Sequence, residues 1–435
     1  MNPLAEELNI ILDGTIAGRL MSNLGLRFYF PRGIIAQSTE AKQLATKANG
    51  TIGMACTKGS PMILSAIADN MANLTPEESV AYAPTAGVEK VRKLWKDLMI
   101  RKNPSLNPAN ISLPVVTPGL TGGLSYTADM FISKGDSIIA SDPCWDNYGL
   151  LFEVRRQGHI IDISFFGNGS GLDLAAIRGA IQHEAKRGAV HIIFNFPNNP
   201  AGYSPTVKES EALVEIIRET AESGTDILVI CDDAYFGLFY EDDIDRESLF
   251  ARFAGLHERV LAIKIDGPIK EDYTWGLRIG FLTFGSKGLE DKHYDALVRK
   301  MMGAIRSSVS CANTSAQHLI FKVLEDERTK GEKERFMSIL QTRYDMVKKF
   351  IASNPKHPVL EPLPFNSGYF MCFSCKGIEA EQLRQKLLKQ HGIGVISLGD
   401  SCIRVAFSSI DEEHIENVYR VIYEVANELY HGDDD

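Results

Sequence analysis

The stretch L-A-I-K-I-D-G-P-I-K-E-D-Y-T-W-G-L-R-I-G-F, Leu261 to Phe281, decides how this chain is read. An apolar, strand-like run from Val260 to Ile265 enters a polar loop holding Lys270, and a second apolar run begins at Arg278. A lysine at a strand edge, followed eight residues later by an arginine among glycines, suits chemistry in which an amine holds an aldehyde and a guanidinium holds a phosphate. Alone, such a pair is more often two solvated loop charges. The case therefore rests on what neighbouring segments supply.

Outward from this stretch, strand and helix alternate from about Ile111. Strands are predicted at Ile111 to Val116, Ser137 to Ala140, Ile160 to Phe166, His191 to Phe196, Ile227 to Cys231, Val260 to Ile265 and Ile279 to Phe284. Leu124 to Ser133, Leu174 to Lys186 and Lys208 to Glu222 read as helices between them. Short, wholly apolar strands separated by amphipathic helices predict an α/β fold with a mostly parallel, seven-stranded sheet covered on both faces. Ligands of such sheets bind beyond the carboxyl ends of the strands. After a long helical region, about Asp291 to Ser353, the pattern becomes strand, helix, strand, strand, helix: Gly368 to Ser374, Ala380 to His391, Val395 to Ser397, Cys402 to Phe407 and Asp411 to Leu429. This is a smaller α+β unit, completed by N-terminal residues. The expected division is 1–75 for an N-terminal arm and part of the small domain, 76–325 for the large domain and 326–435 for the rest of the small one. Residues 1 to about 48 look helical and carry no nameable chemistry, and the acidic tail Asp433 to Asp435 reads as a frayed end.

Four loops offer parts of a site. P-G-L-T-G-G-L, Pro118 to Leu124, follows a strand and opens a helix, so its free N–H groups and the Thr121 hydroxyl form either an anion cradle or an ordinary capped turn. D-P-C-W-D-N-Y, Asp142 to Tyr148, offers an indole that lies flat on a heteroaromatic ring or is simply core. N-F-P-N-N-P-A-G, Asn195 to Gly202, is the most specific loop, because its asparagines and prolines fix an unusual backbone and aim an amide. C-D-D-A-Y, Cys231 to Tyr235, sets a carboxylate at a strand's end where it would hold a ring nitrogen protonated; paired acids there would otherwise suit a metal, but no histidine accompanies them.

With these segments and Lys270 in this order, the chain resembles the fold-type I pyridoxal 5'-phosphate (PLP) dependent aminotransferases of class I/II, aspartate and aromatic aminotransferases among them, over roughly Thr51 to Phe407. The resemblance implies a large PLP-binding domain and a smaller domain. It makes Lys270, rather than its rival Lys264, the residue that carries the cofactor and shuttles the substrate proton, since Arg278 lies eight residues beyond Lys270. Asp232 matches the carboxylate paired with the pyridine nitrogen, Tyr235 and Asn199 the donors to the ring's phenolic oxygen, and Trp145 the stacked aromatic. The phosphate is implied to sit on the Leu120 and Thr121 amides, the Thr121 hydroxyl and Arg278. Tyr82 resembles the tyrosine that reaches the phosphate of a neighbouring subunit, which implies a homodimer. Arg404 resembles the arginine that grips the substrate α-carboxylate, and Arg306 is a candidate for the distal carboxylate from across the interface. Two positions depart from the pattern: Gly267 stands where a phosphate-binding serine or threonine is usual, and Ala201 where threonine is usual.

The implied reaction moves an amino group from an amino acid, with aspartate or an aromatic amino acid as candidate donor, to a 2-oxo acid such as 2-oxoglutarate. The alternative is a PLP enzyme of elimination or ring closure on the same scaffold. A third reading, an effector-sensing regulatory module, would need a DNA-binding domain ahead of the core, where only about 50 residues stand.

Bulk properties agree. The 435 residues suit two or three domains, and 44% are hydrophobic. A net charge of −10 disfavours nucleic acid as a partner. No window reads as a membrane span and the N-terminus lacks a secretory pattern, so a cytoplasmic protein is expected. The seven scattered cysteines read as reduced thiols. Cys372 and Cys375, alone as C-x-x-C, sit in a strand-like run where they face opposite sides, so no metal is expected.

Overall fold

The computed structural model describes residues 1–13, 25–27, 34–51, 53–164, 166–167, 171–354 and 357–432. The short strands β1 (Ala48–Asn49), β2 (Cys56–Thr57) and β3 (Ser60–Pro61) precede the main sheet. That sheet holds β4 (Val115–Thr117), β5 (Ser137–Asp142), β6 (His159–Ser164), β7 (Ala189–Asn195), β8 (Asp226–Asp232), β9 (Val260–Asp266) and β10 (Gly280–Gly285), in the order β4-β10-β9-β8-β7-β5-β6. All neighbours are parallel except β10, which is antiparallel to both β4 and β9.

The sheet forms because both of its faces are apolar. Ile192, Phe194 and Val229 point into one core with the helices Leu174–Ala185 and Val207–Glu222. Ile193, Ile230 and Ile263 point into the other with Gly119–Phe131 and Asp291–Arg306. The alternation is the two-residue period of a strand, and each such side chain contributes about 1.5–3 kcal/mol on burial. Helix Val207–Glu222 starts where Thr206 and Glu209 close a capping box, a start signal worth about 1 kcal/mol.

The smaller domain is a four-stranded antiparallel sheet, β11 (Leu360–Pro362), β12 (Met371–Cys375), β14 (Ile396–Leu398) and β15 (Cys402–Val405), in the order β11-β12-β15-β14. Its core includes residues of the helices Arg328–Ser353, Ala380–His391 and Glu412–His431. N-terminal residues join it: β1 pairs in parallel with β13 (Ile393–Gly394), Ala48 opposite Ile393.

Several boundaries differ from the sequence expectation, each for a local reason. Pairing at β4 begins at Val115 because Pro114 breaks the run, leaving Ile111 as a single bridge to Gly285. The long helical region is three helices, Asp291–Arg306, Thr314–Glu325 and Arg328–Ser353. β11 lies within the proline-rich P-V-L-E-P-L-P, which hid it, and Gly149–Val154 winds as a π-helix that no side-chain period announces. The acidic tail lies outside the described residues. All seven cysteines are unpaired thiols, and among the described residues no helix is long and apolar enough to cross a membrane and no acid, histidine and cysteine cluster could hold a metal.

One crowded contact positions the site. Where β10 inserts between β4 and β9, a Cβ on Gly280 would stand 2.7 Å from the Gly119 carbonyl carbon and 2.8 Å from the Leu120 nitrogen. A Cβ on Gly267 would stand 2.9 Å from both the Ile279 oxygen and Leu120 Cδ1. The glycine at 267 is thus a packing requirement, and the missing hydroxyl follows from it. Gly267→Ser is expected to lower the stability of the apoprotein by about 1–3 kcal/mol through overpacking, read as an earlier urea unfolding midpoint than wild type. An unchanged midpoint would show that the backbones have room to part.

Candidate active site

The carboxyl ends of β4, β5, β7, β8 and β9 converge on a cavity of about 260 Å³, lined among others by Thr121, Trp145, Asn199, Asp232, Lys270 and Arg278. Leu120 and Tyr235 line it too. A wider space of about 630 Å³ continues outward past Trp145, Asn199, Tyr235 and Lys270 to Phe370 and Arg404. Nine of the residues singled out in the sequence are therefore brought to one place. Tyr82 and Arg306 are not: Tyr82 is 92% exposed, and Arg306 is exposed at the end of its helix.

The floor of the inner cavity is Asp232. It ends β8, 3% exposed, and the register places it beside Asn195 of β7. Tyr148 donates its hydroxyl to Asp232 Oδ2 at 2.6 Å, while Oδ1 is buried without a partner. Burial raises the Asp232 pKa to about 6 against the opposing pull of the Tyr148 hydrogen bond, with Asp233 adding to the rise and the Ala234 N–H and Lys270 opposing it. Asn195 braces the loop above: its Nδ2 donates to the Asp232 carbonyl at 2.8 Å and its Oδ1 accepts from the Asn199 N–H at 2.8 Å. Asn199 is thereby aimed inward, and its own Oδ1 accepts from Arg404 Nη1 at 3.0 Å.

Lys270 stands at the wall between the two spaces. Its amine donates to the Gly53 carbonyl at 2.9 Å and lies 4.8 Å from the Tyr235 ring centre. The Lys270 pKa falls to about 7, by burial first and then by the Arg404 and Arg278 guanidiniums, with Asp232 pulling the other way. Lys264 has the opposite surroundings. It is 1% exposed within β9, donates to Asp233 and lies 3.5 Å from Asp266, whose carboxylate also accepts from Trp95 Nε1 at 2.9 Å. Its charge is absorbed by the core, on the other side of the adjacent acid pair from the cavity.

At the other end of the inner cavity the helix Gly119–Phe131 begins with no side-chain cap, so its first N–H groups face the space beside Thr121. Gly119 has φ +76° and a Cβ there would stand 2.7 Å from Arg278 Nη2. The guanidinium closes the cradle, held by Nη1 donating to the Trp275 carbonyl at 3.0 Å. In the outer space Arg404, 2% exposed, donates through Nη2 to the Thr51 carbonyl at 3.2 Å and rests 4.3 Å above the Phe370 ring. Its Nε is buried without a partner.

These features fit PLP. A carboxylate oxygen with no partner awaits a ring N–H, an amine depressed toward neutrality awaits an aldehyde, and an uncapped helix start beside an arginine awaits a phosphate. Sequence reasoning missed Tyr148, Asn195, Phe370 and N-terminal residues such as Ser38, Lys42, Asn49 and Met54 that line the outer space. Tyr148 was within reach, three residues after Trp145 in a quoted motif; the N-terminal residues carried no signal.

Comparison with known proteins agrees with this geometry. A model of the family described as aminotransferase class I and II matches residues 53–422. The aspartate aminotransferase of Salmonella typhi is 23% identical over 335 residues, covering 75% of this chain and 80% of that protein. The probable aspartate/prephenate aminotransferase of Aquifex aeolicus is 22% identical over 407 residues, 90% of this chain and 95% of that one. A crystal structure of an aminotransferase from Anaerococcus prevotii superposes with a TM-score of 0.83 at 21% identity, covering 94% and 99% of the two chains. With that match running through nearly the whole of both domains, the chain belongs to the class I and II aminotransferases, enzymes that work with pyridoxal 5'-phosphate.

Proposed function

We propose that the protein transfers the amino group of an amino acid, with aspartate and the aromatic amino acids as candidate donors, to a 2-oxo acid such as 2-oxoglutarate. One observation carries this reading: a partnerless oxygen of buried Asp232 and the depressed amine of Lys270 face one cavity. Bound there, the cofactor supplies a sink for the electron pair released at the substrate Cα. Asp232 Oδ1 would accept from the ring nitrogen and favour its protonated form, which suits that sink. Lys270 would hold the aldehyde, and its near-neutral pKa suits an amine that takes a proton from the substrate Cα and returns it. Tyr235 and the Asn199 amide would donate toward the ring's phenolic oxygen, and Trp145 would cover the ring. Thr121, the amides of Leu120 and Thr121, and Arg278 would hold the phosphate; Gly267 would give it nothing, so the load on Thr121 and Arg278 would be greater. Arg404 takes the α-carboxylate, and its unpartnered Nε supplies a further donor.

The reading extends to the assembly. A homodimer would place exposed Tyr82 against the neighbour's phosphate and bring Arg306 to the neighbour's outer space. Seven reduced thiols fit a cytoplasmic protein.

Three outcomes are expected. Holoenzyme mixed with its donor and no acceptor should form one 2-oxo acid per site without releasing ammonia, and Lys270→Ala should slow this by at least ~100-fold; ammonia release would mark elimination instead. Because only the neutral amine attacks an aldehyde, capture of PLP by the apoprotein should rise with a midpoint near the Lys270 pKa of about 7. A rate still climbing at the pH of an ordinary lysine, about 10, would deny the depression. Tyr148→Phe removes a hydrogen bond that favours the Asp232 carboxylate, so the acidic limb of kcat/KM should move to higher pH, costing more in mild acid than in mild alkali. Equal losses across the profile would mean that Tyr148 acts through packing alone.

A further inference from the structure

The helix Ile34–Leu44 comes from the part of the chain whose sequence named no chemistry, yet it reaches the rim of the outer space. It is fastened to the smaller domain. Gln37 donates through Nε2 to the carbonyl and the hydroxyl of Ser397, at 3.0 Å each, and accepts from the Ser397 N–H at 2.8 Å. Glu40 pairs with Arg384 at 2.8 Å, and Ala41 is buried against Gly394. Helical spacing sets Ser38 and Lys42 on one side, and both line the space that also holds Arg404.

Charge makes Lys42 conspicuous. The cations lining this space are Lys42, Lys270, Arg278 and Arg404, and no carboxylate lines it. On the transamination reading Arg278 takes the phosphate, Arg404 takes the α-carboxylate, and Lys270 is occupied by the cofactor. Lys42 remains, with no ion pair to any described residue. A substrate with a single carboxylate leaves this cation unused.

We propose that Lys42 is a specificity-determining residue that receives the side-chain carboxylate of a dicarboxylic amino acid or 2-oxo acid, within the same subunit that grips its α-carboxylate. This rests on the transamination reading and deepens it. It sets the fastened N-terminal helix of the same subunit beside the neighbour's Arg306 as a source of the distal-carboxylate contact. A lysine is a compact charge on a flexible stem. It favours a carboxylate without shutting out an uncharged side chain, so its removal should cost discrimination rather than catalysis.

The test titrates holoenzyme, wild type and Lys42→Met, with maleate and with the monocarboxylate 3-phenylpropanoate, following the cofactor's absorbance. Steady-state kinetics with aspartate and phenylalanine run beside it. Lys42→Met should weaken maleate and raise KM for aspartate about tenfold, leaving 3-phenylpropanoate, phenylalanine and kcat little changed. Lys42→Arg should keep the maleate affinity. Unchanged maleate binding overturns the proposal, as does an equal weakening of both ligands, the mark of a displaced helix, or a loss of discrimination in Arg306→Ala but not in Lys42→Met. A wild-type holoenzyme that converts no amino acid would overturn the transamination reading itself.

Discussion

A carboxylate buried at the end of a central strand is the constraint on which the rest of the site depends. An ion removed from water costs several kcal/mol unless other groups replace its solvation. Asp232 receives only part of that replacement, from the Tyr148 hydroxyl and the Ala234 N–H, and its pKa stays raised to about 6. The unfilled half is Oδ1. A buried acceptor left unmade is worth about 1–3 kcal/mol to whatever donor completes it. The protein thus carries in its fold a cost that a donor placed in the cavity would relieve.

The sheet is what lets this cost be held in place. Because β7, β8 and β9 run parallel, Asn195 and Asp232 end side by side and Lys270 follows in the next loop. The antiparallel β10 brings Arg278 back to the same edge, and the contact of Gly280 with Gly119 presses the start of the helix Gly119–Phe131 against it. A side chain at 267 or 280 would push that helix start away from the arginine. The same close approach therefore excludes a hydroxyl at 267.

Much of this was legible in the sequence because the segments that carry it are local. β8 and β9 are apolar runs with an acid or a lysine just past their ends, and N-F-P-N-N-P-A-G announces a rigid loop without any tertiary information. What was not legible depended on partners distant in the chain. The spacing to Arg278 chose Lys270 over Lys264, but the reason the two amines differ, carboxylates around Lys264 and guanidiniums around Lys270, comes from segments far apart in the chain. The role of Gly267 is a distance to Leu120 and Ile279, invisible as spacing. The helix Ile34–Leu44 joins the site through Ser397, some 360 residues away, so no motif could have placed it.

Arg404 ties the two domains together at the outer space. It stands on β15 of the smaller domain, yet its Nη1 bonds Asn199 of the large domain's loop and its Nη2 bonds the Thr51 carbonyl of the N-terminal segment. Asn199 is in turn fixed by Asn195, which bonds the backbone of Asp232. A run of hydrogen bonds thus links Arg404 to the backbone of Asp232 at the end of β8. Only a planar guanidinium, with donors in a fixed fork, can hold both of these oxygens and still present a third N–H to a ligand. A lysine there would keep the charge but break the chain at one end. The placement of Arg404 in the outer space and that of Asn199 above Asp232 are for that reason one arrangement.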